Sequence, residues 1–138
     1  MVTQHHIISF SSRSRREFID ITSQVVEIVQ RSAVKEGICV ISAPHATTAI
    51  LVNENEQRLI DDMLAKIEEL FPSSALYSHN SIDDNADAHL AAVFIGHSKT
   101  FPISKRKLVR GTWQSIFLIE LDGPRQKREV HIQTLGDI

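Results

Sequence analysis

The sequence predicts an α+β fold in which two long helices pack against a mainly antiparallel sheet. The clearest helix runs from Glu56 to Phe71, where apolar residues recur at helical spacing before Pro72 stops the helix. Its apolar stripe consists of Leu59, Ile60, Met63, Leu64, Ile67 and Leu70. The C-terminal third predicts strands instead, since charged and apolar residues alternate from Arg128 to Thr134. No repeat or linker divides the 138 residues, so a single domain spanning 1–138 is expected.

The first half of the chain predicts two strands, a helix and two more strands. In order, these are strands 4–10 and 17–21, a helix begun by Thr22 or Ser23 and ended by Gly37, and strands 38–43 and 49–52. The strand from Ile38 to Ala43 is apolar on both faces, which predicts a central position in the sheet. It contains Cys39, the single cysteine, so a small core hydrophobe is favoured over a nucleophile.

The second half, after the long helix, places polar loops between shorter elements. A loop covers 73–80, a short helix runs through His89 to Ile95, and strands follow at 100–103, 108–109, 113–121 and 128–134. Asp84 or Asn85 is suited to begin the short helix, and Gly96 is suited to end it. An Asp-Gly-Pro turn at 122–124 precedes the last strand.

Composition argues against several classes of partner. A net charge of -2 and a pI near 6.4 give no general attraction to nucleic acid or to an anionic membrane. No apolar run is long enough to span a bilayer. The first residues lack the basic and then apolar layout of a signal peptide, and one cysteine cannot form an internal disulfide. We therefore expect a cytoplasmic protein without nucleic-acid or membrane partners.

Three polar segments carry histidines that suit a metal or acid–base site. The densest runs from Asp83 to His89, and His45 and His79 lie in two earlier segments. Histidine nitrogen and carboxylate oxygen are the usual ligands of zinc and related divalent ions. The spacings match no short metal motif, so a common site requires the three segments to converge in the fold. The histidines interpreted as structural or surface residues are His5, His6, His97 and His131.

Each candidate residue also has a simpler interpretation. His45 follows a buried strand and is either a ligand or general base, or a loop histidine bonded to nearby hydroxyls. Glu54 follows an apolar strand and is able to point back toward His45. Asn85 and His89 are four residues apart, so a helix places them on one face, with Asp84 at its start. The simpler alternative there is a capping Asp beside an exposed His.

The last third supplies cations. Arg110, Arg125 and Arg128 are able to bind a phosphate or carboxylate in bidentate fashion, or to form salt bridges with surface acids. Gln114 and Glu120 share the parity of one predicted strand, and such polar residues need partners if they are buried. No Gly-rich phosphate loop precedes any helix, which argues against a P-loop or Rossmann nucleotide site.

Taken together, these segments closely resemble the YjbQ/UPF0047 family over nearly the whole chain. The matching motifs, in order, are 44–49 (PHATTA), 53–54 (NE), 79–80 (HN), 84–86 (DNA), 88–89 (AH), 111–114 (GTWQ) and 120–125 (ELDGPR). The resemblance implies a YjbQ-like α+β fold, a homotrimer and a metal-capable pocket, with zinc as the expected metal. It also implies a thiamine-phosphate synthase activity, which joins a pyrimidine diphosphate to a thiazole phosphate and releases diphosphate.

The resemblance implies that the three histidines form one site. His45, His79 and His89 become candidate zinc ligands with an open fourth position, as in catalytic zinc sites. Glu54 or Asp84 is then expected to orient a ligand or to handle a proton. One departure is that many relatives carry a histidine where this chain has Asp87.

Diphosphate chemistry also needs cations around the leaving group. The resemblance implies that Asn85, Gln114, Arg110, Arg125 and Arg128 bind substrate, with Mg²⁺ as a possible second ion. The chain contains no dense acidic cluster like that of a dedicated diphosphate enzyme, so the synthase activity is expected to be secondary to another one. The alternative is a trimeric protein that binds a metal or small anion without catalysis.

Overall fold

The computed structural model describes residues 1–138, which form eight strands and three helices. The strands are β1 (Val2–Phe10), β2 (Glu17–Asp20), β3 (Glu36–Ser42), β4 (Thr48–Asn53), β5 (Ser98–Ser104), β6 (Lys107–Leu108), β7 (Ser115–Glu120) and β8 (Arg128–Asp137). The helices are α1 (Thr22–Arg31), α2 (Gln57–Leu70) and α3 (Ala86–Ile95), and one 3₁₀ turn covers Ser78–Ser81.

The strands form two sheets, and every strand pair is antiparallel. One sheet has five strands in the order β1-β8-β3-β5-β6, and the other has three in the order β2-β7-β4. The α+β class and the antiparallel pairing are therefore confirmed. The single sheet expected from the sequence is instead two sheets, because β7 is buried on both faces and forms the centre of a separate inner layer.

Two hydrophobic cores lie between three layers, which are the five-stranded sheet, the three-stranded sheet and the pair of helices α2 and α3. The first core lies between the two sheets and α1, and Ile116 and Leu118 of β7 face it. The second core lies between the three-stranded sheet and the helices α2 and α3, and Phe117 and Ile119 of β7 face it. The alternation along β7 thus sends successive side chains into different cores. Burial of Cys39 in the first core raises the pKa of its thiol to about 11, which confirms its role as a core hydrophobe.

Helix α1 ends earlier than the sequence indicates. It stops at Arg31, and Ala33 takes a left-handed backbone with φ of 60°. The hydroxyl of Ser32 donates to the Val29 carbonyl and accepts from the Val34 N–H, which closes the helix end locally. The prediction that Gly37 ends the helix is wrong. Gly37 lies in β3, where a Cβ would come within 2.1 Å of the Leu135 carbonyl oxygen.

Helix α2 agrees with its predicted bounds to within one residue at each end, and α3 begins and ends at predicted capping residues. Glu56 precedes α2, and its carboxylate accepts from the Arg58 N–H. Asn85 holds the N-cap position of α3, and Gly96, with φ of 98°, ends it. None of the helices is long and apolar enough to cross a membrane.

The predicted strand 113–121 is shorter in the structure. It begins at Ser115, so Gln114 does not share the sheet face of Glu120. Gln114 instead closes an exposed turn, because its side-chain oxygen accepts from the Gly111 N–H at 2.6 Å and its backbone N–H donates to the Gly111 carbonyl.

Candidate functional site

Helix α3 carries the central histidine of the candidate site. Its alanines pack closely against β4 and β7, and Ala88 and Ala91 are fully buried. His89 lies between them at the edge of the helix and stays half-buried. Two cavities open on either side of His89. The larger has a volume of about 420 Å³, and the smaller has a volume of about 230 Å³.

The larger cavity brings His79 and His89 into contact. Their ring centroids are 4.9 Å apart, and the rings meet edge to face at 76°. Nε2 of His79 lies 3.2 Å from Oδ1 of Asn85. Because that oxygen only accepts, Nε2 carries the proton and Nδ1 keeps the lone pair in the neutral ring. The two histidines therefore meet with one free nitrogen of His79 available to a ligand.

Asn85 connects His79 to a group of charged residues. Its amide donates to Oδ2 of Asp122 at 2.8 Å. The same carboxylate oxygen accepts from Nη2 of Arg125 at 2.9 Å, and Nε of Arg125 donates to the Asp122 carbonyl. Arg125 remains half-exposed, so part of its guanidinium is open to an anion close to the His79–Asn85 pair. Asp84 is exposed at the loop before α3.

His45 faces the smaller cavity together with His89. The seven lining residues are His45, Ala46, Thr48, His89, Ala92, Val93 and His97. Thr48 lines this cavity, and its hydroxyl is buried without a hydrogen-bond partner. Sequence reasoning missed both Thr48 and His97 as site residues. The available signal was polar neighbours in sequence: Thr48 lies in the same polar segment as His45, and His97 precedes Ser98, Lys99 and Thr100.

The ring of His45 is held in one tautomer. Its Nε2 accepts from the Glu129 N–H at 2.8 Å, so the proton of the neutral ring sits on Nδ1. Burial and the nearby charge of Arg128 lower the pKa of His45, which favours this neutral form. In this geometry His45 is a hydrogen-bond donor. Metal ligation by His45 requires the bond to Glu129 to break or the proton to move.

Arg128 lies close to His45, but its guanidinium is hydrogen-bonded to other protein side chains. Its Nε and Nη2 donate to the two carboxylate oxygens of Glu120 at 2.9 and 2.6 Å, and Nη2 also donates to Thr47. Glu120 is fully buried, and Arg128 is nearly so. The prediction that Glu120 needs a partner is thus confirmed, and Arg128 acts here as that partner rather than as a free cation.

Asp87 does not join the histidines. It is completely buried in the first turn of α3 and accepts from Arg15 at 3.0 Å and from Arg16 at 2.8 Å. The position where many relatives are expected to carry a histidine therefore holds an ion pair that ties α3 to the loop after β1.

The remaining candidates lie at the opposite end of the three-stranded sheet. His45 precedes β4, whereas Glu54 follows it, and a strand of this length spans about 17 Å. Glu54 and Gln114 line none of the cavities, and Arg110 lines two cavities away from the histidines, of about 160 and 530 Å³. We call the region of His45, His79 and His89 the histidine end. The region of Glu54, Arg110 and Gln114 is the Arg110 end.

The Arg110 end has its own polar network. Arg110 donates to the Gln114 carbonyl, and Asn55 donates to Oδ2 of Asp20 at 2.8 Å. Burial raises the pKa of Asp20, but hydrogen bonds from Thr22 and Asn55 and the charge of Arg110 together lower it below its ordinary value. The predicted substrate-binding residues are therefore divided between two ends of one chain.

The donor set suits zinc by chemistry but is only partly assembled in one chain. Imidazole nitrogen is a preferred zinc ligand, and His89 borders both other candidate histidines. No group of three or more His, Cys, Asp or Glu side chains lies close enough to hold a metal ion. Zinc ligation by all three histidines stays a prediction.

The family model and the curated relatives that match this chain all carry the same family name. The sequence model described as UPF0047 protein YjbQ-like matches residues 6–137. A UPF0047 protein of Methanothermobacter thermautotrophicus is 49% identical over 116 residues, which cover 83% of this chain and 81% of the relative. The UPF0047 protein YugU of Bacillus subtilis is 33% identical over 131 residues, which cover 94% of this chain and 97% of YugU.

Solved structures show the same fold. A YbjQ-like protein of unknown function from Sulfolobus solfataricus matches with a TM-score of 0.98 at 48% identity, and the match covers 99% of both chains. A hypothetical protein from Aeropyrum pernix matches with a TM-score of 0.93 at 36% identity and covers 97% of this chain and 99% of its own.

Proposed function

The chain belongs to the UPF0047 YjbQ-like family, and we propose that it is a metal-dependent enzyme that acts on a small phosphorylated substrate at the histidine end. The observation that carries the proposal is the pair of cavities around His89, which is bordered by His79 on one side and by His45 on the other. Arg125 adds a half-exposed guanidinium, which is connected to His79 through Asp122 and Asn85. Converging polar groups in a cavity of this size are typical of small-molecule sites.

The proposed reaction is that of a thiamine-phosphate synthase, as a primary or secondary activity. A ring nitrogen of the thiazole phosphate forms a bond to the methylene carbon of the pyrimidine diphosphate. The carbon–oxygen bond to diphosphate breaks, and diphosphate leaves with the electron pair. Arg125 is suited to hold this anion, and the Nδ1–H of His45 is suited to donate to one of its oxygens.

A bound divalent ion would add positive charge next to the leaving group. His79 and His89 are the residues suited to hold zinc, with His45 across the smaller cavity as the third candidate. Mg²⁺ prefers oxygen ligands, which the exposed carboxylates of Asp83 and Asp84 supply before α3. Such an ion and Arg125 would together neutralise the charge of the diphosphate.

Replacement of His89 by alanine tests the site. We expect zinc affinity to fall ~10-fold or more, because His89 is the residue that both cavities share. Calorimetric zinc titration and a conversion assay with the pyrimidine and thiazole substrates measure the two effects. His6→Ala is the matched control, since it removes an exposed strand histidine. Equal zinc affinity in both variants would refute the metal site.

A second candidate function is metal or small-anion binding without catalysis. Two observations favour it: Arg128 is fully engaged with Glu120, and no acidic metal cluster is present. Few free cations then remain to stabilise a leaving group. Saturable binding of zinc and phosphate by the wild-type protein, with no conversion of the two substrates, would select this alternative over the enzyme.

The proposed assembly is a homotrimer in which the histidine end of one copy meets the Arg110 end of the next. Apart from Asp87 and His89, helix α3 consists of apolar residues, yet Val93 and Phe94 are each 75% exposed. Such a helix is normally covered. At the Arg110 end, Trp113 is 74% exposed and supplies a complementary apolar surface. Contacts between unlike ends close into a three-membered ring when each copy is rotated by 120° from the last, and they would bring Arg110 and the divided substrate residues to the histidines.

Replacement of Phe94 by aspartate is expected to give a monomer, because it places a charge in the centre of the proposed contact. Light scattering coupled to size exclusion measures the mass. Ile7→Asp, on the outer face of the five-stranded sheet, is the matched control and should leave the trimer intact. A monomeric wild-type protein, or a trimeric Phe94→Asp variant, would contradict this assembly.

A further inference from the structure

A second histidine cluster lies on the outer face of the five-stranded sheet. The register of β1 against β8 pairs His5 with Gln133 and Ile7 with His131. His5 and His131 are therefore diagonal neighbours on one face, where Ile7 is 55% exposed. Neither histidine lines any of the cavities around His89.

The two imidazoles meet through their nitrogens. Nε2 of His5 lies 2.8 Å from Nδ1 of His131, and the ring centroids are 4.9 Å apart. Two nitrogen atoms bound to one metal ion at about 2.0 Å lie about 2.8 Å from each other when the angle at the ion is about 90°. They lie about 3.3 Å from each other when the angle is tetrahedral. The observed separation is that of an N–H···N hydrogen bond between the rings, and it also equals the spacing of adjacent ligands in a tetragonal site, the arrangement preferred by Cu(II) and Ni(II) with nitrogen ligands.

A carboxylate contacts the other ring nitrogen of His131, the one that does not face His5. Oε2 of Glu129 lies 3.3 Å from Nε2 of His131, so Nε2 carries the proton and the lone pair of Nδ1 faces His5. Metal-binding histidines almost always donate their other nitrogen to a carboxylate or carbonyl in this way. His131 and Glu129 are each 31% exposed at the side chain, and His5 is exposed. An ion can reach the pair from solvent, and a small rotation of the His5 ring turns its Nε2 toward the ion.

We propose that His5 and His131 form a surface site for a late first-row divalent cation, Cu(II) above all, with Glu129 orienting His131. Water fills the remaining positions of the ion. On binding, the proton that His5 donates from Nε2 moves to Nδ1 of the same ring, so the neutral ring ligates without net proton release. The proposal does not depend on the function proposed for the histidine end.

Copper titration of the full-length protein tests the site, with binding followed by calorimetry and nitrogen coupling followed by electron paramagnetic resonance. His131→Gln and His5→Gln are each expected to lose one copper equivalent. Glu129→Gln is expected to weaken copper affinity ~10–100-fold, as removal of such a supporting carboxylate does elsewhere. His6→Gln is the matched control, because His6 is the neighbouring strand histidine with the opposite side-chain parity.

His89→Ala separates this site from the histidine end, since copper on the outer sheet should survive that change. A copper spectrum with two coordinated nitrogens that persists in His89→Ala and disappears in His131→Gln supports the proposal. An undiminished copper equivalent in His131→Gln, or an equal loss in His6→Gln, would overturn it.

Discussion

Replacement of Glu120 by glutamine is expected to lower the free energy of unfolding by about 3–5 kcal/mol, the usual cost of removing one partner from a buried ion pair. The change keeps the shape of the side chain but leaves the Arg128 guanidinium buried without a counter-charge. It also weakens a network in which Ser12 and the Leu121 and Asp122 N–H groups all donate to the Glu120 carboxylate. Urea denaturation followed by far-ultraviolet circular dichroism measures the loss.

The same residue makes stability depend on pH in a defined direction. Burial alone raises the pKa of Glu120, but hydrogen bonds from Arg128, Ser12 and Asp122 and the Arg128 charge outweigh it, so the pKa lies below its ordinary value of 4.5. The stabilisation is therefore present above pH 4.5 and is lost as the pH falls through the lower folded pKa. The Glu120→Gln variant should lack this part of the acid-induced loss.

Two further variants make the expectation specific. Glu27→Gln removes a surface carboxylate that is paired with Arg31, and it should change stability by less than about 1 kcal/mol. The double variant Glu120→Leu with Arg128→Met removes both buried charges and should regain part of the stability lost in Glu120→Gln. A single variant as stable as the wild type at neutral pH would show that the pair contributes only to geometry.

The fold was predictable where the sequence pattern is local. The apolar stripe of the second helix and the capping residues around the third give α2 and α3 directly, because a helix depends on near neighbours. The division into two sheets was not predictable in this way. It depends on which strands pair with β7, and a mostly apolar strand of this kind is compatible with either a single central sheet or a middle layer.

The candidate site was predictable in its residues but not in its arrangement. The histidines were identified from their polar segments and from the family motifs, and His79 and His89 do meet. Glu54 and Gln114 belong to the same motifs yet lie at the other end of β4 from His45, a separation set by strand length and register. The engagement of Arg128 with Glu120 also depends on tertiary contact, since the two residues lie on different strands.

Replacement of Asp87 by asparagine is expected to destabilise the protein by about 3 kcal/mol, near the lower limit for a broken buried ion pair, because Arg15 is partly exposed. Asp87 is the only carboxylate that binds both Arg15 and Arg16, and Arg16 in turn donates to the Phe71 carbonyl at the end of α2. Its loss therefore loosens the start of α3 as well as the fold. Thermal unfolding measures the loss of stability, and calorimetric zinc titration measures the effect of the loosened α3 on the histidine end.

The functional consequence follows from the position of Asp87 between Asn85 and His89. Asn85 must stay at the helix start to bond both His79 and Asp122, so a frayed first turn separates the two histidines that meet at 4.9 Å. Zinc affinity should fall in Asp87→Asn although Asp87 touches no histidine, whereas Glu69→Gln, which breaks an exposed pair with Lys66 on α2, should change neither quantity. A destabilised Asp87→Asn protein with unchanged zinc affinity would mean that the ion pair holds the layers together without positioning the histidines.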